Sequence, residues 1–200
     1  MEISLKRFKL NFINHLNQVV SLSAEQKEKI LHLPIFSYHP KGSFLFNKGD
    51  NTSLYYFVIK GGVRIYELID GKDVSLSFII ENEPITPEST IFQEPSDKYA
   101  VCFEDTILVS VTEELQAQIE QEIPVFQKIC RKFTQNMWVK KQRELDRYKT
   151  LSPEQRYQYF VKERPHLLQR IPQYHIATYL GIRPESLSRI RSRITTTKNS

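Results

Sequence analysis

The chain has 200 residues, of which 40% are hydrophobic and 26% charged, and its formal net charge is +5. This composition is typical of a globular protein and excludes an intrinsically disordered one. No apolar run approaches the ~18 residues of a membrane span, and the N-terminal stretch lacks the apolar centre of a signal peptide, so we expect a cytoplasmic protein with no membrane partner. Cys102 and Cys130 lie in apolar segments and predict buried thiols instead of a disulfide framework.

The charge is unevenly distributed along the chain. Residues 140–200 hold 14 Lys and Arg against 5 Asp and Glu, a charge of +9, whereas residues 1–139 carry a charge of −4. A basic segment confined to one end predicts a polyanionic partner for that end only.

The first 111 residues change from helical to alternating periodicity. Residues 1–33 read as helical, with a capping box at Ser23 and Gln26 and a stop at Pro34. Beyond Phe36, short β-rich runs alternate with glycine turns and predict a sandwich or barrel that is either solid or holds one ligand. The predicted strands are Phe44–Phe46, Leu54–Lys60, Val63–Ile69, Val74–Ile80, Tyr99–Phe103 and Ile107–Val111.

From Thr112 the periodicity is again helical, and Pro124 can open a second, longer helix. Apolar residues follow one another there at spacings of 4, 3, 4, 3 and 4, which is a heptad pattern; they are Ile119, Ile123, Phe126, Cys130, Phe133 and Met137. This pattern fits either a helix packed on its own domain or a helix that pairs with a second copy.

A new segment begins near Leu151, where Ser152, Pro153 and Gln155 form a strong helix start. We therefore predict three parts: a domain over residues 1–111, a helical connector and dimerisation helix over 112–149, and a second domain over 150–200.

Residues 172–194 predict two short helices joined by a turn at Gly181, with Ala177 at the crossing. Apolar positions at Ile176, Leu180, Ile182, Leu187 and Ile190 would bury one face of each helix. The second helix then presents a polar and basic face, consisting of Glu185, Ser188, Arg189, Ser192 and Arg193. This is typical of a DNA-reading helix-turn-helix, while the alternative is an ordinary helical hairpin with a solvated basic face. Since a helix-turn-helix usually reads two half-sites as a dimer, the dimer interpretation of the heptad residues Phe126, Cys130, Phe133 and Met137 is favoured.

Over nearly its full length the chain resembles the Crp/Fnr family of bacterial transcription regulators. Three motifs carry the resemblance: residues 40–50 with Gly42 and Gly49-Asp50, residues 56–64 (YFVIKGGVR), and residues 176–190. The resemblance implies an α+β fold, in which a jelly-roll, cyclic-nucleotide-binding-like β-barrel precedes a long dimerisation helix and a C-terminal winged helix-turn-helix. It also implies double-stranded DNA, a second copy and RNA polymerase as partners, with a small-molecule effector as a further possibility.

In this family, the positions of Glu185 and Arg189 contact bases. The chemistry agrees, because an arginine fork can bond O6 and N7 of guanine and a glutamate can accept from cytosine N4. Pro184 stands where the best-known member has an arginine and offers no donor, so Arg183 is the candidate for a phosphate contact. The alternative is that Glu185 and Arg189 only pair with each other on the surface.

The family's cyclic-nucleotide cassette, a Gly-Glu pair followed by Arg-Ser, is altered in this chain. Pro87-Glu88 and Lys98-Tyr99 stand at the corresponding positions. Since Lys98 lacks the planar fork that grips a phosphate, the pattern argues against cAMP and favours a different ligand, or none, beside Glu88, Lys98 and Tyr99.

No metal-ligand spacing, cofactor motif or catalytic motif occurs, so we expect neither a metal nor an enzyme. The sequence therefore predicts a homodimeric, sequence-specific transcription regulator. The alternative is a ligand-binding or protein-interaction module whose helical tail does not read DNA.

Overall fold

A computed structural model describes the backbone of residues 2–198 and the side chains of residues 6–194. Its helices are α1 (Glu2–Val19), α2 (Ala24–His32), α3 (Glu88–Phe92), α4 (Glu113–Glu122), α5 (Val125–Thr150), α6 (Pro153–Glu163), α7 (Leu167–Arg170), α8 (Gln173–Tyr179) and α9 (Pro184–Lys198). Its strands are β1 (Phe36–His39), β2 (Phe44–Phe46), β3 (Leu54–Lys60), β4 (Gly62–Ile69), β5 (Lys72–Ile80), β6 (Pro84–Ile85), β7 (Tyr99–Cys102) and β8 (Thr106–Thr112).

The eight strands form two four-stranded sheets, in the orders β1-β8-β3-β6 and β2-β7-β4-β5. Strand β8 pairs antiparallel with both β1 and β3, placing Val109 opposite Phe36 and opposite Phe57. These sheets and the long helix α5 confirm the predicted fold, a jelly-roll-like barrel followed by helices. Among the strands, the sequence prediction missed the short β1 and β6.

Side chains alternate between two cores on the central strands. Phe57 and Ile59 of β3 belong to a buried cluster that also includes α1, α2, α4 and α5, whereas Tyr56 and Val58 belong to a second cluster inside the barrel. Successive residues of a strand point to opposite faces, so β3 is buried on both sides. This explains why its sequence is an almost continuous apolar run. Side chains of the second cluster, such as Phe46 and Leu108, come from both sheets and lie inside the barrel.

The chain divides into two compact units. The first comprises residues 1–65 and 78–139, and the second comprises residues 66–77 and 140–200. The second contains the outer part of the β4–β5 hairpin, whose turn residues Asp70 and Gly71 both have positive φ, at 49° and 73°. Two positive φ values in a two-residue turn are typical of a type I′ hairpin, which glycine permits.

Local helix signals in the sequence match the structure. Ser23 and Ser152 each form a complete capping box with a glutamine three residues later.

The predicted wing is wrong for the described chain, because among residues 151–198 no strand occurs and helix α9 continues to Lys198. Within residues 2–198, no helix is long and apolar enough to cross a membrane.

Candidate functional site

Helices α8 and α9 meet through a tight turn at Gly181. The Ile182 amide donates to the Ala177 carbonyl at 2.9 Å, and the Gly181 amide donates to the Thr178 carbonyl at 3.1 Å. Gly181 has a φ of +63°, so it takes the left-handed conformation that this helix ending requires. The structure therefore contains the two short helices and the turn at Gly181 that the sequence predicts.

One face of this pair is buried, as the spacing predicted. Ala177 and Leu187 are fully buried where the two helices cross, and the five predicted apolar positions are all buried; these are Ile176, Leu180, Ile182, Leu187 and Ile190. Burying this stripe turns the opposite face of α9 outward.

The outward face carries the predicted DNA-reading side chains. Glu185, Ser188 and Arg189 are exposed. Arg183 is also exposed and stands just before the helix, where its carbonyl accepts from the Leu187 amide at 3.0 Å. Among the described residues, neither Glu185 nor Arg189 has an ion-pair or hydrogen-bond partner, so the surface pair considered for them is not formed. Both side chains are available to an external ligand.

Two further predicted residues are already engaged. The Arg193 guanidinium lies 3.2 Å from the Glu154 carboxylate, with 65% of the arginine side chain still exposed. The Ser192 hydroxyl donates to the Ser188 carbonyl at 3.2 Å. A surface pair of this kind contributes only about 0–1 kcal/mol, so Arg193 can exchange its carboxylate for another anion at low cost.

The β4–β5 hairpin contacts the first helix of this pair, within the second unit. The Ser75 amide donates to the Thr178 hydroxyl at 3.1 Å, and the Tyr174 hydroxyl donates to the Asp73 carbonyl at 3.2 Å. The Asp73 carboxylate also lies 3.8 Å from Nδ1 of His175. Sequence reasoning missed these contacts because about a hundred residues separate the partners, and no local pattern marks them.

The charged side chains of the altered cassette in the barrel pair with one another. The Lys98 ammonium lies 2.6 Å from the Glu88 carboxylate and 3.5 Å from that of Asp97. Burial by itself lowers the pKa of Lys98, but the hydrogen bond and charge of Glu88, followed by Asp97, outweigh it and raise the pKa overall. Lys98 is thus a cation bound by two carboxylates, and the three groups together carry a net charge of −1.

Tyr99, the third predicted pocket residue, is not aimed into the barrel. Its neighbour Ala100 belongs to the interior cluster, so Tyr99 faces the other side of strand β7. There its ring meets that of Phe44, with centroids 6.5 Å apart. The buried hydroxyl of Ser89, next to Glu88, has no hydrogen-bond partner within the described chain. The sequence shows that Ser89 follows Glu88, but it does not show that the Ser89 hydroxyl lacks a hydrogen-bond partner within the described chain.

The predicted dimer residues of α5 are covered largely by their own chain. Phe126 is buried in the first core cluster, and Cys130 and Phe133 pack against it. The Phe133 ring lies 5.0 Å from that of Phe57 and 5.7 Å from that of His15. Burial, and then the charge of Glu120, raises the pKa of the Cys130 thiol to about 11. Met137 is only half-buried.

Other side chains of α5 are exposed instead. In the first unit, Trp138 is 64% exposed, and seven residues later, in the second unit, Leu145 is 47% exposed. The heptad pattern ends at Met137 and does not include Trp138. Such a pattern shows which residues share one face of a helix, but not whether that face packs on the same chain or on a second copy. Trp138 follows directly in sequence and points elsewhere on the helix.

Residues 37–122 match the family model of the cyclic nucleotide-binding domain. A search of curated protein sequences gave no significant match. Solved structures with the same fold include FixK2 from Bradyrhizobium japonicum, with a TM-score of 0.63, 21% identity, and coverage of 82% of this chain and 85% of that one.

Two further structures share this fold. The c-di-GMP-responsive global regulator CLP of Xanthomonas campestris has a TM-score of 0.66 and 17% identity, covering 88% of this chain and 93% of its own. The catabolite activator protein of Thermus thermophilus has a TM-score of 0.53 and 20% identity, covering 92% of this chain and 87% of its own.

The fold of the chain follows from these comparisons. Residues 37–122 are similar to the cyclic nucleotide-binding domain, and the chain shares the fold of FixK2, CLP and the catabolite activator protein. The predicted resemblance is thereby confirmed for the fold. No group of three or more potential metal ligands occurs among the described residues.

Proposed function

We propose that this protein is a cytoplasmic, homodimeric, sequence-specific DNA-binding transcription regulator and not an enzyme. The observation that carries the proposal is the exposed face of α9, where Glu185 and Arg189 have no ion-pair or hydrogen-bond partner among the described residues and lie opposite a buried apolar stripe. This face belongs to the basic end of the chain. The regulators FixK2, CLP and catabolite activator protein, which share the fold, support the same function.

Helix α9 supplies both kinds of DNA contact. Glu185 and Arg189 lie one helical turn apart, so both can reach base edges in one major groove, with Arg189 bonding O6 and N7 of guanine and Glu185 accepting from cytosine N4. Ser188 lies between them. Arg183, before the helix, and Arg193, near its end, contribute phosphate contacts, with Ser192 beside them. The phosphate contacts give affinity and register, and the base contacts give specificity.

A second copy of the chain pairs along α5. The exposed Trp138 and Leu145 support this arrangement, because large apolar side chains seven residues apart on an exposed helix are typical of a helix-pairing seam. Pairing would place two copies of α9 in successive major grooves, ~34 Å apart. The operator is then a palindrome. RNA polymerase is the remaining macromolecular partner, as in the family.

The barrel does not bind cAMP in this proposal. A cyclic phosphate placed beside Lys98 would have to displace the Glu88 carboxylate from a 2.6 Å contact and would remain next to Asp97. Lysine also offers no planar fork for the phosphate oxygens. The regulator therefore responds to a different small molecule or acts without one. Any effector must bind two arrangements of the DNA-binding units with different affinity.

Selection from random duplex DNA with the full-length protein tests this function. The expected result is enrichment of one palindromic motif, with binding that weakens steeply as salt rises. Selections should cover several salt concentrations, with and without cell extract as a source of effector. If no palindrome is enriched under any of these conditions, the regulator proposal is wrong and the alternative, a ligand-binding or protein-interaction module, takes its place.

A further inference from the structure

Arg156 of helix α6 connects the end of α5 with the turn of the helix-turn-helix. Its Nε donates to the Leu180 carbonyl at 2.9 Å. Its Nη1 donates to the Leu151 carbonyl at 3.0 Å and to the Tyr148 carbonyl at 3.3 Å. One guanidinium thus holds three backbone carbonyls from two segments that are separated by about thirty residues. All of these residues belong to the second unit.

The ring of Tyr148 completes the same contact. The Arg156 guanidinium carbon lies 4.8 Å from the centroid of this ring. The ring also lies against Gly181, where an added Cβ would come within 2.6 Å of the tyrosine hydroxyl oxygen and 3.0 Å of a ring carbon. Gly181 is therefore favoured by its positive φ, and an added Cβ would force the exposed Tyr148 ring to move.

These contacts connect the helix proposed to pair two copies with the turn that precedes α9. The carbonyls of Tyr148 and Leu151 lie at the end of α5 and just beyond it, and the carbonyl of Leu180 ends α8. Lysine would not reproduce the contact, because its single ammonium has no planar fork to reach three carbonyls in fixed directions. Arg156 therefore joins the C-terminal end of α5 to the turn that precedes α9.

We propose that Arg156 is a positioning residue that fixes the spacing of the two DNA half-sites the dimer reads. This inference rests on the proposed function. When α5 pairs two copies, the angle between α5 and each turn sets the distance between the two α9 helices. Half-site spacing on DNA is a direct consequence of that distance. A rigid contact at Arg156 therefore selects one spacing, and its loss permits several.

Arg147 provides a matched control for Arg156. Its guanidinium carbon lies 3.9 Å from the centroid of the Tyr159 ring, so it makes the same type of cation–π contact in the same unit. None of its described contacts involves the turn at Gly181. Substituting Arg147 removes one charge and one arginine–tyrosine contact but leaves the connection between α5 and the turn intact.

The test uses the selected palindrome, resynthesised with its central spacer lengthened or shortened by single base pairs. Affinity is measured at every spacing for the full-length wild type, Arg156→Gln, Arg156→Lys and Arg147→Gln, together with the thermal midpoint of each. We expect the wild type and Arg147→Gln to prefer one spacing. We expect Arg156→Gln to lose at least about tenfold of that discrimination, since hydrogen bonds to charged groups contribute on this scale. Its discrimination against a base change within a half-site is expected to persist.

Each outcome decides the inference. If Arg156→Gln keeps the wild-type spacing preference and only its thermal midpoint falls, Arg156 merely stabilises the domain and the inference is wrong. Equal loss of preference in Arg147→Gln also overturns it. Where Arg156→Gln fails to fold, Arg156→Lys replaces it, and unchanged spacing preference in that variant contradicts the inference. Failure of the wild type to enrich any palindrome, by contrast, removes the proposed function itself.

Discussion

The barrel and helix α9 each carry an acidic and a basic side chain at predicted binding positions. These two side chains bind each other in the barrel but not on α9. In the barrel, Glu88 and Lys98 lie 2.6 Å apart, and Asp97 adds a second carboxylate. On α9, Glu185 and Arg189 are exposed and make no such pair. A ligand of Lys98 must first displace the Glu88 carboxylate, whereas Glu185 and Arg189 need only exchange water for DNA.

The difference follows from the elements that carry these residues. Glu88 begins a five-residue helix and Lys98 immediately precedes a strand, so the tertiary fold alone brings them together. Glu185 and Arg189 lie one turn apart on one helix, where ion pairs contribute only about 0.2–0.5 kcal/mol. We conclude that Glu88 and Lys98 of the barrel bind each other, while Glu185 and Arg189 of α9 remain available to a ligand. The following experiments test this contrast.

The largest effect is expected from Trp138→Glu, which challenges the dimer that would present two copies of α9. Aromatic anchors at the centre of an interface commonly contribute at least about 2 kcal/mol, and a buried carboxylate adds desolvation. Sedimentation equilibrium should show monomers, and affinity for the palindrome should fall toward that for one half-site. The control is Phe92→Glu, a barrel residue that is 68% exposed. A Trp138→Glu protein that stays dimeric at wild-type strength would contradict the α5 seam.

Arg189→Ala tests directly whether the open pair on α9 reads DNA. The expected loss is about 1–3 kcal/mol at the selected site, with relaxed preference at one base position. Arg183→Ala is the comparison, because loss of a phosphate contact should weaken binding to all sequences alike and reduce the salt slope by about 1. Competition binding against single-base operator variants separates the two. If Arg189→Ala weakens binding to all operator variants equally, Arg189 contacts a phosphate and not a base.

A smaller effect concerns the barrel unit and its pH dependence. Burial lowers the pKa of His15 and of His39 below the usual value near 6.5. The folded state then binds fewer protons than the unfolded state, so their contribution to stability is complete above that value and is lost as the pH falls below it.

Urea unfolding between neutral pH and about pH 5 measures this loss. We expect the free energy of unfolding to decrease toward acid, and His15→Gln to make that decrease shallower. The exposed His166, substituted in the same way, serves as the control. If His15→Gln steepens the decrease, the sign assigned to this histidine is wrong.

The smallest expected effect is that of cAMP on the barrel, which we predict to be nil. Binding to the native state at a hundred times the dissociation constant would add about 2.7 kcal/mol to stability. Because Lys98 is already bound by Glu88, millimolar cAMP should leave the thermal midpoint unchanged. If cAMP clearly raises the thermal midpoint of the wild type but not that of Lys98→Met, the phosphate displaces Glu88 from Lys98. The pair in the barrel is then as available to a ligand as the pair on α9.

Local signals in the sequence determined a large part of this protein. Capping residues at Ser23 and Ser152 start helices by satisfying amides within one turn, and Gly181 permits a conformation that other residues resist. Apolar spacing identified the buried stripe that includes Ala177 and Leu187, and therefore also the exposed face that carries Arg189. Each of these interactions joins residues only a few positions apart, so the residue order itself records them.

Tertiary structure decided what residues distant in sequence do to one another. It placed Phe133, which the heptad pattern assigned to the dimer seam, against Phe57 and His15 and left Trp138 exposed on α5. It also placed the Lys98 ammonium against the Glu88 carboxylate, and the Arg156 guanidinium against the Leu180 carbonyl at the turn. The physical reason is that burial and charge pairing depend on which surfaces the fold brings together, and spacing along the chain specifies only which residues share a face.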